Sequence, residues 1–198
     1  MKVSKAVDQN NKSRKSALNT LVAYSSPQAL SGSWAQLATV TASGKCNLIS
    51  QGDGPQQRDG NTCMQSGFKL RMAFLTSGDS PQNVRVVVVE NKSNLFGSAG
   101  DFPPDFNSPW PEHTSSLVNV LYDRIITTSN QRDDTGGLAR EFYLIKYFKL
   151  KRSLDFEDHT AESLRTKDIR VYVIGNPLVG GTDPMDVSGN STVYFTDN

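Results

Sequence analysis

The 198-residue chain carries 21 Lys and Arg against 20 Asp and Glu, a formal net charge of +1, and 36% of its residues are hydrophobic. That length fits one domain able to bury a core, and the low apolar content points to a loop-rich or sheet-rich architecture. No stretch approaches about 18 consecutive apolar residues, which excludes a membrane-spanning helix, and two cysteines, Cys46 and Cys63, support neither a disulfide framework nor a paired CxxC metal site.

The charge is unevenly placed. Residues 1–15 hold Lys2, Lys5, Lys12, Arg14 and Lys15 against Asp8 alone, a local balance of +4; the other 183 residues, with 16 basic and 19 acidic groups, stand at −3. Asp8 is also the single acid in residues 1–52. A basic arm on a mildly acidic body predicts a polyanion partner, because Lys and Arg neutralise phosphates whatever the base sequence. The arm has no aromatic residue, so base stacking is not its expected mechanism. Asp8, Gln9, Asn10 and Asn11 stand where a secretory signal needs an apolar core, so no such signal is expected. The Asn-x-Ser/Thr triplets at Asn11, Asn91 and Asn190 are then coincidental, and a reducing cytosol is favoured.

Leu18, Leu21 and Val22 recur at helical spacing and predict a short helix within residues 13–24, ended by Ser25-Ser26-Pro27. Its N-terminal cations oppose the helix dipole, a placement that makes sense if they face an external anion. Residues 1–24 thus read as a basic arm with a short helix and residues 25–198 as the body.

From residue 31 onward the pattern is that of strands. Residues 33–41 are rich in Thr, Val and Trp, and Phe68, Leu70, Met72 and Phe74 alternate with Lys69, Arg71 and Ala73. The apolar run 84–89, broken once by Arg85, predicts a central strand of a sandwich. Further strands are expected over 118–128, over 141–151 with Phe142, Leu144, Phe148 and Leu150 on one parity, over 169–173 and over 193–196. Turn-rich stretches separate them at 77–81, 91–112 and 133–137. Seven or eight strands with one short helix predict an all-β fold, an eight-stranded jelly-roll sandwich. The aromatics Phe102, Phe106 and Trp110 in the long loop are either exposed anchors for a subunit interface or a loop packed on its own domain.

Catalytic signals are sparse. His113 lies in a Pro-rich loop and His159 follows Asp155, Glu157 and Asp158, a set able to bind metal or act as a base but more often a solvated loop. No nucleophile elbow, paired-histidine zinc motif or Walker loop occurs. Gly175-Asn176-Pro177-Leu178-Val179-Gly180-Gly181 follows a strand without a P-loop lysine, so it does not read as a phosphate cradle. The chain is not expected to be an enzyme.

The most specific segment is Gln51-Gly52-Asp53-Gly54-Pro55-Gln56-Gln57-Arg58-Asp59-Gly60-Asn61. Its glycines allow positive φ, Pro55 fixes a bend, and Arg58 is able to bond several carbonyls at once. This segment resembles one in small single-jelly-roll viral capsid proteins, of both the satellite tobacco necrosis virus type and the circular Rep-encoding single-stranded DNA viruses. Leu121-Tyr122-Asp123-Arg124, the strand over 142–150 and Val193-Tyr194-Phe195-Thr196-Asp197 match in register, so the resemblance covers roughly residues 10–198.

The resemblance implies a capsid protein of the virion that assembles with itself into a sixty-subunit T=1 shell. Its basic arm (Lys2, Lys5, Lys12, Arg14 and Lys15) would hold the viral nucleic acid, RNA or single-stranded DNA, with host cytoplasm or nucleus as the place of assembly. It also implies calcium, bound by the carbonyls of Asp59 and Thr62 and the carboxylate of Asp197, oxygen ligands that suit the ion. The family's helix supplies a further acidic ligand, whereas residues 13–30 here contain no acid. The alternative expectation is a non-viral jelly-roll carbohydrate-binding module with Trp34, Trp110 and tyrosines as sugar platforms.

Overall fold

A computed structural model describes residues 18–19, 28–29, 33–36, 44–52, 57–76, 82–93, 95–128, 140–158, 164–176 and 185–197. Three two-residue strands come first: β1 (Leu18–Asn19), β2 (Gln28–Ala29) and β3 (Ala35–Gln36). Six long ones follow: β4 (Thr62–Thr76), β5 (Gln82–Asn91), β6 (Val118–Thr128), β7 (Arg140–Asp155), β8 (Ile169–Asn176) and β9 (Met185–Asp197). The fold is all-β, in two antiparallel sheets. Sheet A runs β1-β9-β4-β7, with β2 also on β9, and sheet B runs β3-β8-β5-β6.

The helix expected within residues 13–24 is corrected at its centre. Leu18 and Asn19 are extended and pair with Tyr194 and Val193. Three apolar residues in a short segment do not offset the cost of nucleating a helix. The free edge of β9, by contrast, presents unpaired backbone donors and acceptors that a strand satisfies.

Alternation then decides what is inside. Phe68, Leu70, Met72 and Phe74 are buried, as their spacing predicts, and meet Val84, Val86 and Val88 of β5 and Val171 and Val173 of β8 in the main core. β4 shifts register at Gln65/Gly67, an irregularity seen against both of its neighbours.

A second core lies on the outer side of sheet B. Val87 and Val89 face away from the sandwich, and Phe96, Phe102, Val118 and Tyr172 bury them, with Trp34, Trp110 and Leu117 packed around. The rings of Phe96 and Phe102 are 5.0 Å apart, and those of Phe102 and Tyr172 4.8 Å. Arg85 pins the loop: it forks onto Asp123 at 2.8 and 2.7 Å and donates to the carbonyls of Phe106 and Ser108 at 3.0 and 2.8 Å. Of the two readings for the loop aromatics, the structure takes the second, since Phe102 and Phe106 are buried in their own domain and Trp110 is half-buried. A strand apolar on both faces needs cover on both. Burying each phenylalanine contributes about 1.5–3 kcal/mol.

Candidate nucleic-acid interface

Among the described residues the long loop covers the outer side of β5 and β8, while β6 at the edge of sheet B leaves Val120 and Ile125 43% and 49% exposed; the more exposed face is that of sheet A. Its outward side chains fall into rows set by the strand register. From β7 through β4 to β9 they read Lys149, Gly67, Tyr194; then Tyr147, Lys69, Thr192; then Ile145, Arg71, Asn190; then Tyr143, Ala73, Ser188. Tyr143, Ile145 and Tyr147 are 61%, 60% and 56% exposed. The four rows contain three cations and no acid. Acids stand beyond them, Glu141 and Asp186 on either side of Leu75 at one end and Asp155 opposite Thr62 at the other.

The tyrosines are held in place. Tyr147 leans across Gly67, where a Cβ would collide with its hydroxyl, and meets Tyr194 edge-on with ring centroids 5.6 Å apart. Glycine is therefore needed at this point for close approach rather than for a turn.

The five arm cations, Lys2, Lys5, Lys12, Arg14 and Lys15, lie outside the described residues. Their attachment does not: the chain joins sheet A at Leu18, in the row of Tyr194. Lys15 is three residues before Leu18, so no more than about 10 Å of chain separates them.

The Gln51–Asn61 segment is built around Arg58, which is fully buried. Its Nε donates to the Ile49 carbonyl at 3.0 Å, one Nη to the Asp158 carbonyl at 2.6 Å and the other to the Gly60 carbonyl. The guanidinium lies 4.0 Å from the centre of the Phe156 ring. The expected multiple carbonyl bonds are thus present, and they tie the loop to the chain that follows β7. Gly52 has the positive φ expected of it, at +157°, whereas Gly60 does not; Gly54 lies outside the described residues.

The positions expected for calcium gather at one end of sheet A. Thr62 opens β4, Cys63 pairs with Asp197, and Asp59 is exposed just before. The Asp59 carbonyl accepts a hydrogen bond from Gln51 Nε2 at 3.0 Å. Among the described residues no group of three or more His, Cys, Asp or Glu side chains is placed to hold a metal ion.

His113 is exposed, with Nε2 3.4 Å from Asp101. His159 lies outside the described residues, and Glu157 pairs with Arg165 at 3.6 Å. Trp34 stacks on Phe102 and donates to the Pro103 carbonyl at 2.9 Å, while Trp110 donates to Asp123 at 2.8 Å beside an open pocket of about 480 Å³. Both tryptophans are half-buried and packed against the second core.

The strongest internal electrostatics are architectural. Asp168 is fully buried and accepts from Asn91 Nδ2 at 2.9 Å and Arg170 Nε at 2.8 Å. Arg152, drawn down to about 10 by burial, bonds Gln65, the Lys167 carbonyl and Glu90. The bond to Glu90 crosses between the two sheets, since Arg152 belongs to sheet A and Glu90 to sheet B.

The exposed tyrosine row was not among the residues expected to function. Its signal is the odd parity of residues 143–149, where two tyrosines, an isoleucine and a lysine alternate with Leu144, Lys146 and Phe148. No protein-family model and no curated protein matches this chain.

Proposed function

We propose that the chain is a viral capsid protein, an eight-stranded jelly roll that assembles with itself into a T=1 shell around a nucleic acid. The observation that carries this reading is the strand order. Sheets ordered β1-β9-β4-β7 and β3-β8-β5-β6, with β2 on the same strand as β1, fit two interleaved Greek keys. β1 and β2 pair with successive stretches of β9, Val193–Tyr194 and Asp186–Val187, and count as one interrupted strand, which makes eight. The basic arm on the edge of sheet A adds the polyanion partner. Sixty arms of +4 would bring about 240 positive charges to the genome, with the protein residing in the virion. Calcium at Asp59, Thr62 and Asp197 belongs to the same reading, and a particle that sediments unchanged in EDTA removes it.

Negative-stain microscopy and size-exclusion chromatography of the purified chain test the proposal. Closed particles about 20 nm across holding nuclease-protected nucleic acid are expected, with RNase and DNase digestion identifying the genome. A chain that stays monomeric at high concentration and carries no nucleic acid refutes it.

A further inference from the structure

We propose that the outward face of sheet A is a second nucleic-acid site, separate from the arm. There single-stranded bases stack on Tyr143, Tyr147 and Tyr194 while Lys69, Arg71 and Lys149 hold the phosphates. The inference rests on the proposed function only for the class of partner and does not require a shell.

Three observations carry it. First, the two sheets differ in cover among the described residues. The long loop roofs β5 and β8 of sheet B, whose only exposed large hydrophobics are Val120 and Ile125 of β6, each by less than half, while sheet A leaves two tyrosines and an isoleucine more than half exposed on one strand. Contiguous apolar exposure of this kind marks a binding surface. Second, the cations alternate with the rings. Lys69 stands directly opposite Tyr147, Arg71 opposite Ile145, and Lys149 opposite Gly67, across which Tyr147 reaches Tyr194. Acids are confined to the two ends. Stacking rings set among phosphate-binding cations are what a sequence-tolerant single-strand site requires, and sheets displaying aromatic side chains stack two or three bases in this way. Third, the spacing suits a strand of nucleotides. Outward residues on β7 recur about every 7 Å, so Tyr143 and Tyr147 are separated by two such steps with Ile145 between them.

A second copy of this chain fits the face poorly. A twofold contact would pack the patch against itself, bringing three cations from each copy together with no acid among the four rows to offset them, and lysine is depleted from interface centres. Duplex is disfavoured because its base faces are hidden in the stack and unavailable to the tyrosines.

The test separates the face from the arm. The background is the full chain with Lys2, Lys5, Lys12, Arg14 and Lys15 replaced by Gln, and the probes are a fluorescein-labelled oligo-dT of about 15 nucleotides and a duplex of equal length. By fluorescence anisotropy the background protein is expected to bind oligo-dT more tightly than duplex. Tyr143→Ala with Tyr147→Ala should weaken that binding about tenfold or more, and Phe at both positions should restore it. Lys69→Gln with Arg71→Gln should lower the log–log salt slope by about 1.4, or 0.7 per phosphate contact. Should the alanine pair fail to fold by circular dichroism, the Lys69→Gln, Arg71→Gln protein decides the question.

Absent oligo-dT binding, equal affinity for duplex, or tyrosine and cation variants that bind as the background does would each overturn the site. So would variants that bind normally but change oligomeric size, which would make the face a subunit contact. A protein that forms no particles yet binds oligo-dT through these residues would refute the capsid reading and leave the site standing.

Discussion

Arg58 offers the sharpest test of how the Gln51–Asn61 segment is held. In Arg58→Ala the Ile49 carbonyl loses its buried donor, a loss worth about 1–3 kcal/mol. The Gly60 and Asp158 carbonyls are partly exposed and regain water, so each costs nearer 0.5–1.5 kcal/mol, roughly the net value of one hydrogen bond. Removing the guanidinium from the Phe156 ring costs about 1–2 kcal/mol more. The total is about 3–8 kcal/mol, a large share of the roughly 5–15 kcal/mol that holds a domain of this kind together. With a urea slope of about 2 kcal/mol/M, the unfolding midpoint should fall by at least about 1.5 M. Arg58→Lys keeps the charge but replaces a planar fork by one point donor, so its midpoint should lie between wild type and alanine. Equilibrium urea unfolding followed by circular dichroism measures all three. A shift below about 0.5 M for alanine, or a lysine variant equal to wild type, would refute the claim that the fork organises this loop.

Two further outcomes follow from the buried charges and thiols. Burial alone would raise Asp123, but hydrogen bonds from Arg85 and Trp110, and the charge of Arg85, outweigh it and hold the carboxyl below its ordinary value. Its contribution is therefore complete above the unfolded carboxylate pKa of about 3.9 and is lost as pH falls through the lower folded value. Asp123→Asn should cost about 2 kcal/mol at pH 7 and flatten the acid limb of stability against pH; an acid limb identical to wild type would contradict the pairing. Burial pushes the Cys46 thiol up to about 12, and Cys63 is fully buried, with neither in a disulfide. The folded chain should be inert to Ellman's reagent at pH 8 and release two equivalents in urea. Rapid reaction of even one thiol without urea would show that this end of the core opens.

Much of the architecture was legible in the order of residues because strand periodicity is local. Phe68, Leu70, Met72 and Phe74 alternate at the period of a half-buried strand, and the structure buries those four. The run at 84–89 announced a central strand of a sandwich, and β5 lies between β8 and β6 in sheet B. Arg58 among glycines announced a carbonyl-binding fork, since a tight glycine-rich turn brings several backbone oxygens within reach of one guanidinium. The departure from a helix at Leu18–Asn19 has a physical source: helical spacing in a short segment is a weak local preference, and the open edge of β9, about 175 residues away in sequence, outweighs it.

The candidate surface was harder to read. In residues 142–150 both parities carry large side chains, so alternation alone does not say which face is buried. That is settled by the partners of β7, with Leu144 and Phe148 turned toward the core and Tyr143, Ile145 and Tyr147 turned outward. The amino-acid sequence by itself determined the all-β class, the main core positions and the basic arm, because each follows from composition or from spacing within one segment. Only the tertiary structure decided that the long loop covers β5 and β8 of sheet B and that Tyr143, Ile145 and Tyr147 of sheet A are exposed. It also aligned the tyrosines of β7 and β9 with the cations of β4 and β7, because cover and cross-strand register depend on contacts between residues remote in the chain.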